Sequence, residues 1–94
     1  MDKNKPGIIK KAQGSEWRTV GKEALILKAQ TARFYRLNET ATVVWKSING
    51  KRKEEDILRI VLDKFKVKKG RAGKDLKTLL GLLRKNKLIC TLRR

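Results

Sequence analysis

The chain has 94 residues and carries 26 Lys and Arg against 9 Asp and Glu, which gives a net charge of +17 at pH 7. This length suits one domain with a modest core. The strong positive charge favours an acidic partner, which means a nucleic acid, an anionic membrane or an acidic peptide. Because the sequence contains no histidine, it excludes histidine general bases, Ser-His and Cys-His nucleophile pairs and histidine-bearing zinc sites.

The remaining residue types also argue against catalysis. The 7 glycines are scattered and form neither a phosphate loop nor a dinucleotide fingerprint. We therefore expect a non-enzymatic protein with no cofactor and no metal. A single cysteine, Cys90, excludes an internal disulfide and is expected to be a small buried residue. With no apolar run of about 18 residues and no signal pattern, we expect a cytoplasmic protein that does not bind membranes.

The first 14 residues differ in composition from the rest. They are polar and basic, contain the only proline, and have Ile8 and Ile9 as their one apolar pair. Such a composition favours a flexible basic tail in which Ile8 and Ile9 offer a docking point. The folded domain is accordingly predicted over residues 15–94.

Three short strands are predicted at the start of that domain. Residues 16–20 and 23–28 are joined through Gly21 and Lys22, a two-residue loop whose leading glycine suits a tight hairpin. Residues 33–37 alternate in character and contain the adjacent aromatics Phe34 and Tyr35, as a half-buried strand would. Three strands are about the minimum for a small sheet to persist.

A first helix is predicted directly after the third strand. Asn38 is a good helix cap, and Glu39 suits the positive helix end. The apolar stripe follows the i, i+3, i+4, i+7 spacing of a helix and consists of Ala41, Val44, Trp45 and Ile48. Asn49 and Gly50 tolerate a left-handed backbone and are expected to end the helix. Both tryptophans of the chain are interpreted as packing residues.

Two more helices complete the prediction. The second spans residues 54–65 and begins with three acidic residues; the third spans residues 73–86, after a basic linker at residues 66–74. The apolar stripe of the third helix consists of Leu76, Leu79, Leu80 and Leu83. Leu82 lies off this stripe and is expected to border a groove or solvent. The end of the chain, with Leu88, Ile89 and Leu92, is predicted to be a short strand or a packed tail.

The order of these segments resembles a known family. LNETATVVW, INGKRKEEDILRIVLDKF and DLKTLLGLLRKNKLI resemble the PqqD-like proteins over roughly residues 17–92. The sequence departs from that family at two places. Residues 29–32 lack the glycine often found before the aromatic strand, and Lys53 stands where a capping threonine or serine is usual.

The resemblance implies a fold and a function. The fold would be α+β and winged-helix-like, with a three-stranded antiparallel sheet followed by a three-helix bundle. Proteins of this family are recognition elements that bind the leader of a ribosomally made precursor peptide. They present it to a modifying enzyme such as a leader protease, a cyclase or a radical SAM enzyme. This implies natural product biosynthesis, an acidic leader peptide as the partner, and no specific DNA.

In the resembling family the leader pairs with the third strand, by β-augmentation, and lies against the third helix. Carried over to this sequence, that position implies eight peptide-binding residues: Arg33, Phe34, Tyr35, Arg36, Asp75, Thr78, Leu79 and Leu82.

Plainer interpretations remain open at this point. Phe34 and Tyr35 can simply cover the two faces of a sheet, and a single exposed leucine such as Leu82 is common. The alternative function is a winged-helix DNA-binding protein, since a charge of +17 would give strong, salt-sensitive phosphate binding. Against it, the third helix is leucine-rich and has few groups able to read base edges.

Overall fold

The computed structural model describes residues 7–92 and consists of three helices and six strands over that range. The elements are β1 (Ile8–Lys11), β2 (Ser15–Val20), β3 (Glu23–Lys28), β4 (Arg33–Leu37), α1 (Glu39–Ser47), β5 (Arg52–Lys53), α2 (Glu54–Lys64), α3 (Lys69–Lys85) and β6 (Ile89–Leu92). The predicted fold class is confirmed, because an antiparallel sheet is followed by three helices. A second sheet, which the sequence did not indicate, accompanies them.

The sheet β2-β3-β4 is an antiparallel meander at the predicted positions. Gly21 has a φ of +64°, as the tight loop between β2 and β3 requires. Along β3 the side chains alternate: Ala24 and Ile26 are fully buried, whereas Leu25 between them is exposed. One face of the sheet therefore packs on the core, and the other faces outward.

Helices α1 and α2 follow the predicted bounds closely. The Asn38 side chain accepts a hydrogen bond from the Ala41 amide at 2.9 Å, which confirms the predicted cap. Gly50 has a φ of +80° just after α1. At the start of α2 the Lys53 side chain makes no capping bond, but the Asp56 carboxylate accepts from the Lys53 amide at 3.0 Å. The acid in the first turn thus satisfies the Lys53 amide, whereas a threonine or serine at position 53 would accept from amides of the first turn.

Helix α3 begins at Lys69, four residues before its predicted start, so most of the predicted basic linker is helical. The physical reason is the buried Ala72, which extends the apolar stripe one turn upstream of Leu76. Packing of this turn outweighs the cost of about 1 kcal/mol for each of Gly70 and Gly73 within a helix. The linker between α2 and α3 shortens to residues 65–68.

The second sheet has the order β5-β1-β6 and corrects the prediction of a flexible tail. Strand β1 pairs with β6 from Ile8↔Leu92 to Lys11↔Ile89, and Ile9 is 2% exposed in the core. A four-residue strand whose partner lies some eighty positions away leaves no local signal in the sequence. Residues 1–6 of the predicted tail lie outside the described residues. Strand β6 confirms the predicted short strand at the end.

The two sheets and three helices share one core. Trp45 is fully buried at its centre, as predicted, and the ring of Trp17, which is 39% exposed, meets it edge-on at 6.1 Å between centroids. The Lys11 amine lies 5.3 Å from the Trp17 ring and 5.0 Å from the Trp45 ring, and donates to the Ile48 carbonyl at 2.6 Å. Burial lowers the pKa of this amine. Cys90 is half-buried, less than predicted.

Candidate functional site: the groove between β4 and α3

Strand β4 lies at an edge of its sheet, where its pairing partner is β3. Every second residue of an antiparallel edge strand directs its amide and carbonyl away from the sheet. Helix α3 runs beside this edge, and a groove separates the two. The groove is lined by Phe34, Tyr35, Arg36, Leu37, Asn38, Ala41, Leu79, Leu82, Leu83, Asn86 and Leu88. We call it the β4–α3 groove.

The structure brings most of the predicted site residues to this groove. Five of the eight line it: Phe34, Tyr35, Arg36, Leu79 and Leu82. Arg33 and Thr78 do not line it. The Thr78 hydroxyl donates to the Lys74 carbonyl one turn earlier in its own helix, at 3.2 Å. The eighth residue, Asp75, lines an adjoining hollow instead.

That hollow lies between the three helices and continues the β4–α3 groove. The two depressions share Asn38, Ala41 and Leu79. Its remaining walls are mostly apolar and come from Val44, Val61, Phe65, Val67, Ala72 and Leu76, with Thr40, Arg71 and Asp75 as polar members. Arg71 and Asp75 form an exposed ion pair at 3.7 Å. A chain lying in the groove would therefore reach a second apolar recess at the end nearer the start of α3.

The floor and rim of the groove differ in exposure. Tyr35 is half-buried, packs against the core, and its hydroxyl donates to the Asn86 side-chain oxygen at a long 3.5 Å. Leu79 is also half-buried. Leu82 is 53% exposed and Phe34 is 70% exposed. Large apolar side chains that face water beside an open strand edge can bury further surface when a ligand arrives.

Two residues that the sequence prediction missed hold α3 against the sheet. The Lys28 side chain is buried at the end of β3, and its amine donates to the Asn86 carbonyl at 3.2 Å and to the Lys87 carbonyl at 2.7 Å. Asn86 also donates from its side chain to the Leu82 carbonyl at 2.8 Å. A positive charge is favourable at the C-terminal end of a helix. The alternation along β3, which places Lys28 on the same face as Ile26, was the available signal.

The end of α3 is a Schellman motif without glycine. The Leu88 amide donates to the Leu83 carbonyl at 2.9 Å and the Lys87 amide to the Arg84 carbonyl at 3.0 Å. Lys87 has a φ of +60°, in the left-handed region that glycine usually occupies. Leu88, 1% exposed, anchors the motif in the core. The helix therefore ends at a fixed point beside Tyr35.

Charge around the groove is mostly positive. Helix α3 carries six basic residues, Lys69, Arg71, Lys74, Lys77, Arg84 and Lys85, against the single acid Asp75. On β4, the Arg36 guanidinium contacts the Glu23 carboxylate through two nitrogens at 3.0 Å each. An acidic ligand would be attracted to this surface.

Among residues 7–92, no group of three or more His, Cys, Asp or Glu side chains is placed to hold a metal ion. Over the same residues, no helix is both long and apolar enough to cross a membrane. What the groove offers is backbone pairing, apolar contact and positive charge.

Comparison with known proteins now decides the family. The model of the family described as coenzyme PQQ synthesis protein D (PqqD) matches residues 23–89, more than two thirds of the chain. The chain belongs to the PqqD family. The resemblance noted in the sequence is thereby confirmed, and the match runs from the start of β3 to the first residue of β6, so it includes both walls of the groove. No curated protein matches this PqqD-family chain in sequence.

Two solved structures share the fold of this PqqD-family chain. One is "TbiB1 in Complex with the TbiA(beta) Leader Peptide", with 18% identity and a TM-score of 0.81 over 90% of this chain and 99% of that chain. The other is "Lasso peptide synthetase B1 complexed with the leader peptide", with 14% identity and a TM-score of 0.78 over 88% of this chain and 98% of that chain. At these identities the likeness concerns the fold.

Proposed function

We propose that this protein binds the leader segment of a ribosomally synthesised precursor peptide in the β4–α3 groove. The leader adopts an extended conformation, pairs with the edge of β4 by β-augmentation, and packs its side chains against α3. The observation that carries this proposal is the coincidence of an open strand edge with apolar side chains on both walls of one groove, the half-buried Tyr35 on β4 and the exposed Leu82 on α3.

The comparisons support the leader as the ligand class. The chain is a member of the PqqD family, and the two proteins that share its fold were each solved with a leader peptide. The groove supplies the two components that strand addition needs. Main-chain groups of β4 give affinity, and pockets for alternate side chains give specificity.

Charge supports an acidic leader. The six basic residues of α3 and the net charge of +17 attract a peptide rich in Asp and Glu and repel a basic one. Exposed charges act mainly on the rate of association, so the apolar groove must hold the peptide once it has arrived.

Binding is the whole of this protein's chemical role in the proposal. The domain presents the captured leader to a modifying enzyme, and a leader protease, a cyclase or a radical SAM enzyme are the candidate classes. Recognition by the domain would leave the rest of the precursor free for that enzyme.

The test begins with a ligand selected without assumptions. A displayed library of random peptides about 12 residues long, enough for one strand with flanks, is selected against the full chain. The strongest binders are synthesised with a fluorescent label. Fluorescence anisotropy at about 0.15 M salt then compares the wild-type protein with Leu82→Ala and Tyr35→Ala, and with Leu92→Ala as a matched control. Leu92 is 45% exposed on β6, in the other sheet.

Leu82→Ala and Tyr35→Ala are each expected to cost about 1 to 3 kcal/mol of peptide binding, as anchors in a desolvated pocket do. Leu92→Ala should leave affinity unchanged, and the melting temperature should hardly move for Leu82→Ala. A labelled DNA duplex of about 20 base pairs is measured in parallel. Sequence-specific DNA binding, together with peptide binding that is insensitive to Leu82 and Tyr35, would favour the winged-helix alternative and refute the proposal.

A further inference from the structure

The outward face of the sheet β2-β3-β4 has an ordered arrangement of side chains. The register aligns Glu16, Leu27 and Phe34 in one row across the three strands, and Arg18, Leu25 and Arg36 in the next. Both rows lie on the face opposite the buried Ala24 and Ile26. Each row ends at β4 with an exposed side chain, Phe34 in the first and Arg36 in the second.

A peptide strand added to β4 would lengthen both rows by one residue. An added strand lies about 4.8 Å from its neighbour, and side chains directly opposite each other have Cβ atoms about 5 Å apart. Alternate residues of the peptide face the groove and α3. The residues between them face outward, where one would lie beside Phe34 and another, two positions along, beside Arg36.

We infer that the bound peptide is recognised on both faces, with an apolar residue opposite Phe34 and an acidic residue opposite Arg36, two positions apart. The inference rests on the proposed function, because it assumes strand addition at β4. Contacts on the outward face would add to the specificity that the groove provides. The recognised leader would carry this apolar and acidic pair interleaved with the side chains that enter the groove.

Phe34 has the surface that an apolar partner needs. It is 70% exposed although Leu27, half-buried, lies next to it in the same row. A cross-strand contact with an aromatic ring stabilises a pair of strands by up to about 1 kcal/mol relative to an alanine pair. A peptide side chain in this position would extend the Leu27–Phe34 contact by one strand.

Arg36 retains donors for an acidic partner. Two of its nitrogens contact the Glu23 carboxylate at 3.0 Å, and the side chain is 76% exposed. A guanidinium has five N–H donors, so contact with one carboxylate leaves others free for a second. An opposite charge directly across the strands is favourable, whereas a like charge is not.

The same sheet supplies matched controls. Arg18 and Val20 are exposed residues of β2 on the outward face, at the opposite edge of the sheet from β4. Strand β2 lies two strand spacings from β4, and an added strand would lie one spacing further, so the backbone at Arg18 and Val20 is about 14 Å from that strand. A change of charge at Arg18, or of size at Val20, should therefore not affect a peptide in the groove.

The experiment repeats the random-peptide selection with Arg36→Glu and with Arg18→Glu. Wild-type protein and Arg18→Glu should select peptides with an acidic residue two positions from an apolar one. Arg36→Glu should select a basic residue at the acidic position. With the synthetic wild-type consensus peptide, Phe34→Ser should weaken binding about fivefold, the value that corresponds to a loss of about 1 kcal/mol. Val20→Ser should leave affinity unchanged.

Arg36→Glu places a second acid beside Glu23 and could disturb folding. Arg36→Gln is the control for this, since it removes the positive charge without adding a negative one. It should also weaken binding of the consensus peptide. If Leu82→Ala weakens binding as expected while Phe34→Ser, Arg36→Gln and Arg36→Glu leave affinity and consensus unchanged, recognition on the outward face is refuted and the groove proposal stands. If no selected peptide depends on Leu82 or Tyr35, the groove proposal itself fails.

Discussion

The two three-stranded sheets of this protein are built in opposite ways. Sheet β2-β3-β4 is a meander of consecutive strands within residues 15–37, whereas β5-β1-β6 joins segments from the start, middle and end of the described chain. The meander leaves the edge of β4 open beside α3 and keeps large apolar side chains in water. The other sheet buries Ile9 and Ile89 and ties distant segments together. The first sheet therefore has an open edge and exposed apolar side chains, whereas the second sheet holds distant segments of the chain together.

The largest change in stability should come from a substitution in the sheet β5-β1-β6. Ile9→Ala removes a side chain that is 2% exposed in β1 and should cost about 2 to 5 kcal/mol of unfolding free energy through lost burial and a cavity. Val20→Ala, an apolar truncation at a 62% exposed position of the meander, should cost less than about 0.5 kcal/mol. Urea unfolding of both variants measures the difference, and equal losses would remove the distinction between the sheets.

A second prediction concerns the link between the meander and α3. Lys28→Met keeps the length of the side chain but removes the amine that donates to the Asn86 and Lys87 carbonyls. Loss of a charged donor to two part-buried carbonyls should cost about 1 to 3 kcal/mol of stability. Peptide binding should weaken as well, because Leu82 lies one turn before Asn86.

Lys22→Met is the matched control for Lys28→Met, since Lys22 lies in the exposed loop between β2 and β3 and makes one long ion pair with Glu39 at 3.9 Å. It should leave both stability and affinity nearly unchanged. Thermal melting and fluorescence anisotropy on the same samples test both effects. If Lys28→Met behaves like Lys22→Met, the buried amine does not position the helix.

The third prediction is a smaller change in stability, and it is a gain rather than a loss. Ala32 precedes β4 with a φ of +56°, so it adopts a left-handed conformation within residues 29–32, the segment that lacks the glycine often found before the aromatic strand. Ala32→Gly relieves that strain and should stabilise the fold by up to about 1 kcal/mol, reduced by the greater freedom of glycine in the unfolded chain. Ala29→Gly in the same loop, which has no positive φ, should give no gain. Chemical unfolding distinguishes the two.

The smallest effect is a pH dependence of stability that arises at Lys11, whose amine lies beside the rings of Trp17 and Trp45. Burial lowers the pKa of the Lys11 amine. Between that lowered pKa and the ordinary value, the unfolded chain binds more protons at this site than the folded one, so the site's contribution to stability rises with pH. Below the lowered pKa, the cost of burying the charge is fully present.

Lys11→Met removes the titrating group and should abolish this contribution. The unfolding free energy of wild-type protein minus that of Lys11→Met should therefore increase as pH rises through the alkaline window. Urea unfolding at neutral and alkaline pH measures it. A difference that stays constant or falls would mean that the Ile48 carbonyl and the two indole rings compensate for the burial of the charge.

The same contrast explains what the sequence could predict. Local signals correctly predicted the meander, the Asn38 cap and the apolar stripe of α3. Five of the eight site residues taken from the family resemblance line one groove, and their role in binding stays a prediction. Strand β1 was missed because its pairing with β6 depends on residues far apart in the chain, for which Ile8 and Ile9 are too short a signal. The start of α3 was missed because glycines such as Gly70 and Gly73 are unfavourable in a helix, so no sequence signal indicated the first turn. That turn is stabilised by the packing of Ala72.

The pairing of Ile8 with Leu92 brings the first and last strands of the described chain side by side. A tether attached at either end would leave the molecule from the same region, on the sheet that does not contain β4. Such proximity favours circular permutation and insertion of a domain into a host loop. A linker at these ends would also fix the distance of the groove from any attached protein, so the local concentration of a captured peptide could be set by linker length.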